Sequence, residues 1–118
     1  MYGADEEWRE LKTMMKALAD MVRLTIVYYL VHHEEITVTA LTDLLGISQP
    51  LVSWHLRKLR RADLITTRRV GRQVYCSLNA SRFELCIQHL QRLGDPASSV
   101  ETLPAGAALV AAEMSLED

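Results

Sequence analysis

The sequence predicts a mainly α fold with one small β-hairpin, an α+β arrangement of about five helices plus a two-stranded wing. Three observations carry that expectation. Apolar residues recur at helical spacing in several separate segments, whereas strand-like alternation is confined to Leu64 to Leu78. Between two of the helical segments, Gly46-Ile47-Ser48 forms the kind of short glycine-containing turn that joins the helices of a helix-turn-helix. A winged helix-turn-helix is the architecture that accommodates all three.

Asp5 to Lys16 holds good helix formers, acids in its first turn, and apolar residues at Trp8, Leu11, Met15 and Leu18. So narrow a stripe suits lengthwise packing on a partner helix, and homodimerisation is the expectation, against a plain core helix of the same chain. Asp20 caps a second helix, Met21 to Val31, whose Leu24, Ile26, Val27, Leu30 and Val31 are apolar on most sides, placing it centrally in the core. The polar run His32-His33-Glu34-Glu35 breaks the pattern, and Thr37 or Thr39 caps a third helix ending at Leu45-Gly46. Gly46 supplies the positive φ that stops it. Ser48 caps the fourth helix, and Pro50 sits where no N–H is needed.

Leu64 to Leu78 reads as a hairpin turning at Val70-Gly71-Arg72. Asn79 or Ser81 then caps a helix from Arg82 to Leu93, whose stripe of Phe83, Cys86, Ile87, Leu90 and Leu93 marks a second dimer helix. Residues 1–94 are therefore expected to form one DNA-binding and dimerisation domain. Residues 95–118 follow as a linker from Asp95 to Ser99 and an Ala-rich stretch, Leu103 to Met114, read as a short extra helix or a mobile tail.

The formal net charge is -2 over 118 residues, which by itself argues against a nucleic-acid partner. Its distribution argues the other way. Residues 48–72 hold seven Lys/Arg against the single acid Asp63, a local +6, and the rest of the chain carries the compensating -8. The longest run without Asp, Glu, Lys or Arg, Leu44 to Leu56, is interrupted by Gly46 and Pro50 and falls short of the ~20 apolar residues of a membrane span. The acidic start, MYGADEEW, lacks the basic and apolar regions of a secretory signal, so a cytoplasmic location is expected. Cys76 and Cys86 form no CxxC pattern and are expected to be reduced.

The stretch Gly46 to Asp63, GISQPLVSWHLRKLRRAD, carries the chemistry. At about 100° per residue, Val52, Leu56 and Leu59 share one face with His55 at its margin. Pro50, Ser53, Trp54, Arg57 and Arg61 fall roughly opposite. Short polar groups early and arginines late suit a helix entering the major groove, where early residues meet base edges and later ones meet phosphates. Gln49, Pro50, Ser53 and Trp54 are the candidate base readers. Arg57 and Arg61, with Arg68, Arg69 and Arg72 at the hairpin tip, are candidates for phosphate or the adjacent minor groove. The expected dimer contacts are Trp8, Leu11, Met15, Phe83, Cys86 and Leu90.

Catalysis is not expected. Ser53 and His55 diverge by about 200° on a helix, Cys86 and His89 have no orienting acid or oxyanion turn, and no phosphate loop is present. A winged helix used only for protein contact, with Trp54 as an exposed anchor, is the rival in kind.

LADMVRLTIVYYL at Leu18 to Leu30, GISQPLVSWHLRKLRRADL at Gly46 to Leu64 and GRQVYCSL at Gly71 to Leu78 resemble, in that order, the second helix, recognition helix and wing of the ArsR/SmtB family of bacterial repressors. The resemblance spans roughly residues 8–93. It implies a homodimer that binds double-stranded operator DNA and is released by an inducer, often a metal ion. The chain departs from that pattern where many members carry a Cys-x-Cys metal box. Here Glu35-Ile36-Thr37-Val38-Thr39 offers hydroxyls instead of thiolates, and Glu84, Cys86 and His89 do not reproduce the family's alternative site on the last helix. No metal and no cofactor is assigned, and the inducer is left unknown. A metal or thiol sensor with a non-standard site, through Cys86 above all, stays open as an alternative.

Overall fold

The computed structural model describes residues 4–98, as five helices and a three-stranded antiparallel sheet. The elements are α1 (Ala4–Leu18), α2 (Met21–His32), β1 (Ile36–Thr37), α3 (Val38–Leu45), α4 (Gln49–Arg61), β2 (Ile65–Val70), β3 (Gln73–Leu78) and α5 (Ala80–Leu93). The Ala-rich stretch after Ser98 lies outside the described residues.

Caps set the helix boundaries. The Asp20 carboxylate accepts from the Arg23 N–H at 3.1 Å to start α2, and the Thr37 hydroxyl accepts from the Ala40 N–H at 3.1 Å to start α3. Gly46 ends α3 at φ +66°, its N–H donating to the Thr42 carbonyl, and Ser48 opens α4 with Pro50 in the first turn. The turn between them is thus closed at both ends by the residues that the sequence singled out. At the far end of α4, Asp63 is left-handed at φ +59°; its N–H reaches the Arg60 carbonyl, and the Leu64 N–H reaches the Leu59 carbonyl. This is a Schellman stop built on aspartate, one of the few non-glycine residues that tolerate the conformation.

The sheet order is β1-β3-β2. The hairpin pairs Ile65 with Leu78 through Val70 with Gln73, and Gly71 turns it at φ +59°. Beyond the expected two-stranded wing, β1 adds a third strand, with Ile36 paired to Cys76 and Thr37 to Tyr75. Two residues carry no readable period, so only their distant partners define this strand.

Two expectations about helix faces need correction. The second helix is not buried on most sides: Ile26, Val27 and Leu30 enter the core with Arg23, while Met21, Leu24, Tyr28 and Val31 are exposed. In α1 the buried line is Leu11, Met14 and Ala17, and Met15 faces out at 45% exposure. Helix α1 packs on α2, α4 and α5 of its own chain, so the expected seam is split: Leu11 faces inward with Met14, and Met15 is left outward.

Both cysteines are free and buried. Cys76 lies in the central strand, where burial pushes its thiol up to about 11, and burial likewise raises Cys86. Thiolate is the reactive form, so neither thiol of the native protein should react with an aromatic disulfide reagent within minutes, whereas both should after unfolding. Rapid labelling of one thiol in the native state would show that it is presented for sensing.

Candidate nucleic-acid interface

The polar side of α4 and one side of the hairpin meet across a single groove. Gln49, Ser53 and Arg57 line it from α4, and Arg69 and Arg72 line it from β2 and the hairpin turn. Sequence reasoning missed Arg60, Thr39 and Gln73, which share the same groove. The inward residues of α4, Val52, Leu56 and Leu59, are buried, so the helix is fixed to the core by one face and open on the other.

Pro50, Trp54 and Arg61 are exposed on the adjoining outer face of α4 and do not line that groove. Trp54 is 43% exposed, with the Lys58 ammonium 4.9 Å from its ring centroid and the His55 ring edge-on at 4.9 Å. Lys58 was not among the sequence candidates. His55, read from sequence as marginal, is buried at 5% exposure.

The hairpin arginines divide by strand alternation. Arg69 pairs with Val74 and lines the groove, whereas Arg68 pairs with Tyr75 on the opposite face. There the Arg68 guanidinium donates to both carboxylate oxygens of Glu35, at 2.7 and 2.8 Å, and lies 4.5 Å from the Tyr75 ring centroid. The Arg68 hydrogen bond holds the Glu35 carboxyl below its ordinary range and raises Arg68. Among the described residues, Arg57, Arg61, Arg69 and Arg72 have no carboxylate partner within ion-pair distance. Arg68 braces the wing; those four leave their charge to the surface.

A helix-turn-helix domain profile matches residues 18–68. The nodulation protein NolR of Rhizobium meliloti is 36% identical over 91 residues, covering 76% of this chain and 74% of NolR. The arsenical resistance operon repressor of Bacillus subtilis is 38% identical over 71 residues, covering 60% of this chain and 68% of the repressor.

The chain belongs to the ArsR/SmtB family of winged helix-turn-helix transcriptional regulators. The transcriptional activator HlyU of Vibrio cholerae is 35% identical over 80 residues, covering 68% of this chain and 73% of HlyU. A solved structure of HlyU from that organism superposes with a TM-score of 0.62 at 28% identity, covering 74% of this chain and 96% of that one.

In this ArsR/SmtB regulator the expected dimer residues do not all face the same way. Met15 and Leu90 are exposed at 45% and 40%, Trp8 and Phe83 are half-buried, and Leu11 and Cys86 are buried inside the single chain. Cys86 therefore faces its own core rather than outward. Met15 and Leu93 join Trp8, Leu11 and Ala19 around an apolar concavity on α1 and the end of α5. Arg82–Glu10 and Arg92–Glu7 ion pairs tie the two helices together beside it. Among the described residues, no three His, Cys, Asp or Glu side chains gather as a metal-binding group, and no helix is long and apolar enough to cross a membrane.

Proposed function

We propose that residues 1–94 form a non-enzymatic, cytoplasmic operator-binding domain that acts as a homodimer and represses transcription, with residues 95–118 as an appended tail. Two subunits related by a twofold axis present two recognition helices to an imperfect palindrome, with half-sites about one helical turn apart. Gln49 and Ser53, at the N-terminal end of α4, meet base edges, with Pro50 and Trp54 on the adjoining ridge. Arg57, Arg61, Arg69 and Arg72 neutralise phosphates or enter the minor groove.

The observation that carries this is the convergence of Gln49, Ser53 and Arg57 with Arg69 and Arg72 on one groove. The sense of regulation is taken as repression with the arsenical repressor; HlyU, named an activator, is the counterexample among the relatives. Soft metals are not expected to act through the start of α3. Thr37 and Thr39 present neutral hydroxyls there, and the Thr37 oxygen already accepts from the Ala40 N–H.

Base and phosphate roles separate by substitution. Arg69→Ala should weaken binding to all duplexes alike and flatten the salt dependence of the dimer by about two units of slope, one for each protomer, whereas Ser53→Ala should change preference among sequences. Binding of a randomised duplex pool, followed by sequencing of the recovered DNA, reads both. Equal sequence preferences for wild type and Ser53→Ala would remove Ser53 from the base-reading set.

A further inference from the structure

Arg23 is a cation 9% exposed in the first turn of α2, and no carboxylate makes an ion pair with it among the described residues. Its Nε donates to the Ala17 carbonyl at the end of α1 at 2.5 Å, and a terminal nitrogen lies 3.0 Å from His55 Nδ1. Guanidinium has only donors, so His55 Nδ1 must accept and the ring must be neutral with its proton on Nε2. His55 projects from the buried side of α4 beside Val52, Leu56 and Leu59. One arginine thus joins the end of α1, the start of α2 and the middle of the recognition helix. Trp54, on the outward side of that same turn, lies 5.9 Å from the Arg23 guanidinium and 4.9 Å from the His55 ring.

We propose that Arg23 and His55 are positioning residues that hold α4 at its DNA-binding angle, and that protonation of His55 releases this clamp and weakens DNA binding in acid. The proposal rests on the DNA-binding role above. A protonated imidazole turns an N–H toward the Arg23 donors, so the hydrogen bond is lost and two cations face each other. The nearest carboxylate is Asp20 Oδ2, 3.7 Å from Nδ1, and that oxygen already caps α2 through the Arg23 N–H. A charged ring would share Asp20 with the α2 cap, so that carboxylate offsets part of what the lost Arg23 hydrogen bond costs.

The groups facing His55 are Asp20 and Arg23 from the α1–α2 junction, with Trp54 beside it on α4 and Lys58 across the indole. Burial lowers the His55 pKa from 6.5, Asp20 opposes that and Arg23 adds to it. The folded protein therefore takes up this proton less readily than the unfolded chain. The associated stability is complete above 6.5 and is lost as pH falls from 6.5 toward the lower folded value.

The test uses the full chain and a fluorescent duplex recovered from a randomised pool. Wild type should lose about tenfold or more in affinity between neutral pH and pH about 5. His55→Asn keeps a non-titrating acceptor for Arg23, so its affinity should stay within about threefold of wild type and show no acid loss. His55→Leu leaves Arg23 without that acceptor and should lose about tenfold or more already at neutral pH. A DNA-free readout is the Trp54 emission, isolated in a Trp8→Phe background: it should quench in acid with a midpoint below 6.5 when His55 is present and not in His55→Asn. The proposal is overturned by identical acid profiles for wild type and His55→Asn, or by wild-type affinity in His55→Leu. Absence of duplex binding at neutral pH, with a normal emission titration, would instead overturn the DNA-binding role on which it rests.

Discussion

Met15→Glu combined with Leu90→Glu should yield monomers that bind duplex DNA about 100-fold or more weakly than wild type. Both side chains are apolar and exposed on the single chain, at 45% and 40%. Burying each contributes roughly 1.5–3 kcal/mol, and twofold symmetry makes every contact count twice. A carboxylate at either position would have to give up its hydration on association, which opposes it. A monomer then engages one half-site and forgoes the effective concentration that links two. Leu11 is unsuited to this test, because at 5% exposure it belongs to the core and a charge there would unfold the chain. Sedimentation gives the mass and a mobility shift gives the affinity; a double variant that still sediments as a dimer would place the interface elsewhere.

Leu59→Ala should cost about 2–5 kcal/mol of folding stability. Leu59 is fully buried on the inward face of α4, and its carbonyl also receives the Leu64 N–H that ends the helix. The substitution leaves a cavity under the recognition helix, in a chain of a size whose whole stability is about 5–15 kcal/mol. Arg57→Ala, on the exposed side of the same helix, should change stability by no more than about 0.5 kcal/mol. Denaturant titration separates the two. A Leu59→Ala chain within 1 kcal/mol of wild type would contradict the assignment of that face to the core.

The parts of this fold that are local in sequence were legible there. Asp20, Gly46, Ser48 and Asn79 each act through hydrogen bonds within a few residues, and each bounds a helix as its chemistry requires. The hairpin was equally plain, because Gly71 and the flanking alternation are neighbours in the chain. What escaped was set by distance. Strand β1 exists through Ile36 and Thr37 meeting Cys76 and Tyr75. The Arg23–His55 bond spans 32 residues, and nothing local distinguishes Arg23 from a solvated helix arginine. Met14 and Met15 are chemically identical, so only the packing of α1 on three other helices decides which is buried.

The candidate site divides the same way. The outward face of α4 followed from helical period alone, and Gln49, Ser53 and Arg57 do line the groove. Proximity to the turn puts the hairpin arginines together in the sequence, but pleat alternation sends Arg68 to Glu35 and Arg69 to the groove. Strand alternation alone puts consecutive residues such as Arg68 and Arg69 on opposite faces of the hairpin. Glu35 itself sits in a polar run that reads as solvated loop, so its role as the partner of Arg68 had no local signal.

Salt dependence of duplex affinity tests the central claim most directly. Each protomer offers Arg57, Arg61, Arg69 and Arg72 without carboxylate partners among the described residues. If a dimer neutralises one phosphate with each of them, the logarithm of the association constant should fall with the logarithm of salt concentration at a slope of roughly -7. Duplex binding that is absent at low salt, or that changes with a slope shallower than about -2, would contradict a DNA-binding surface built on these arginines.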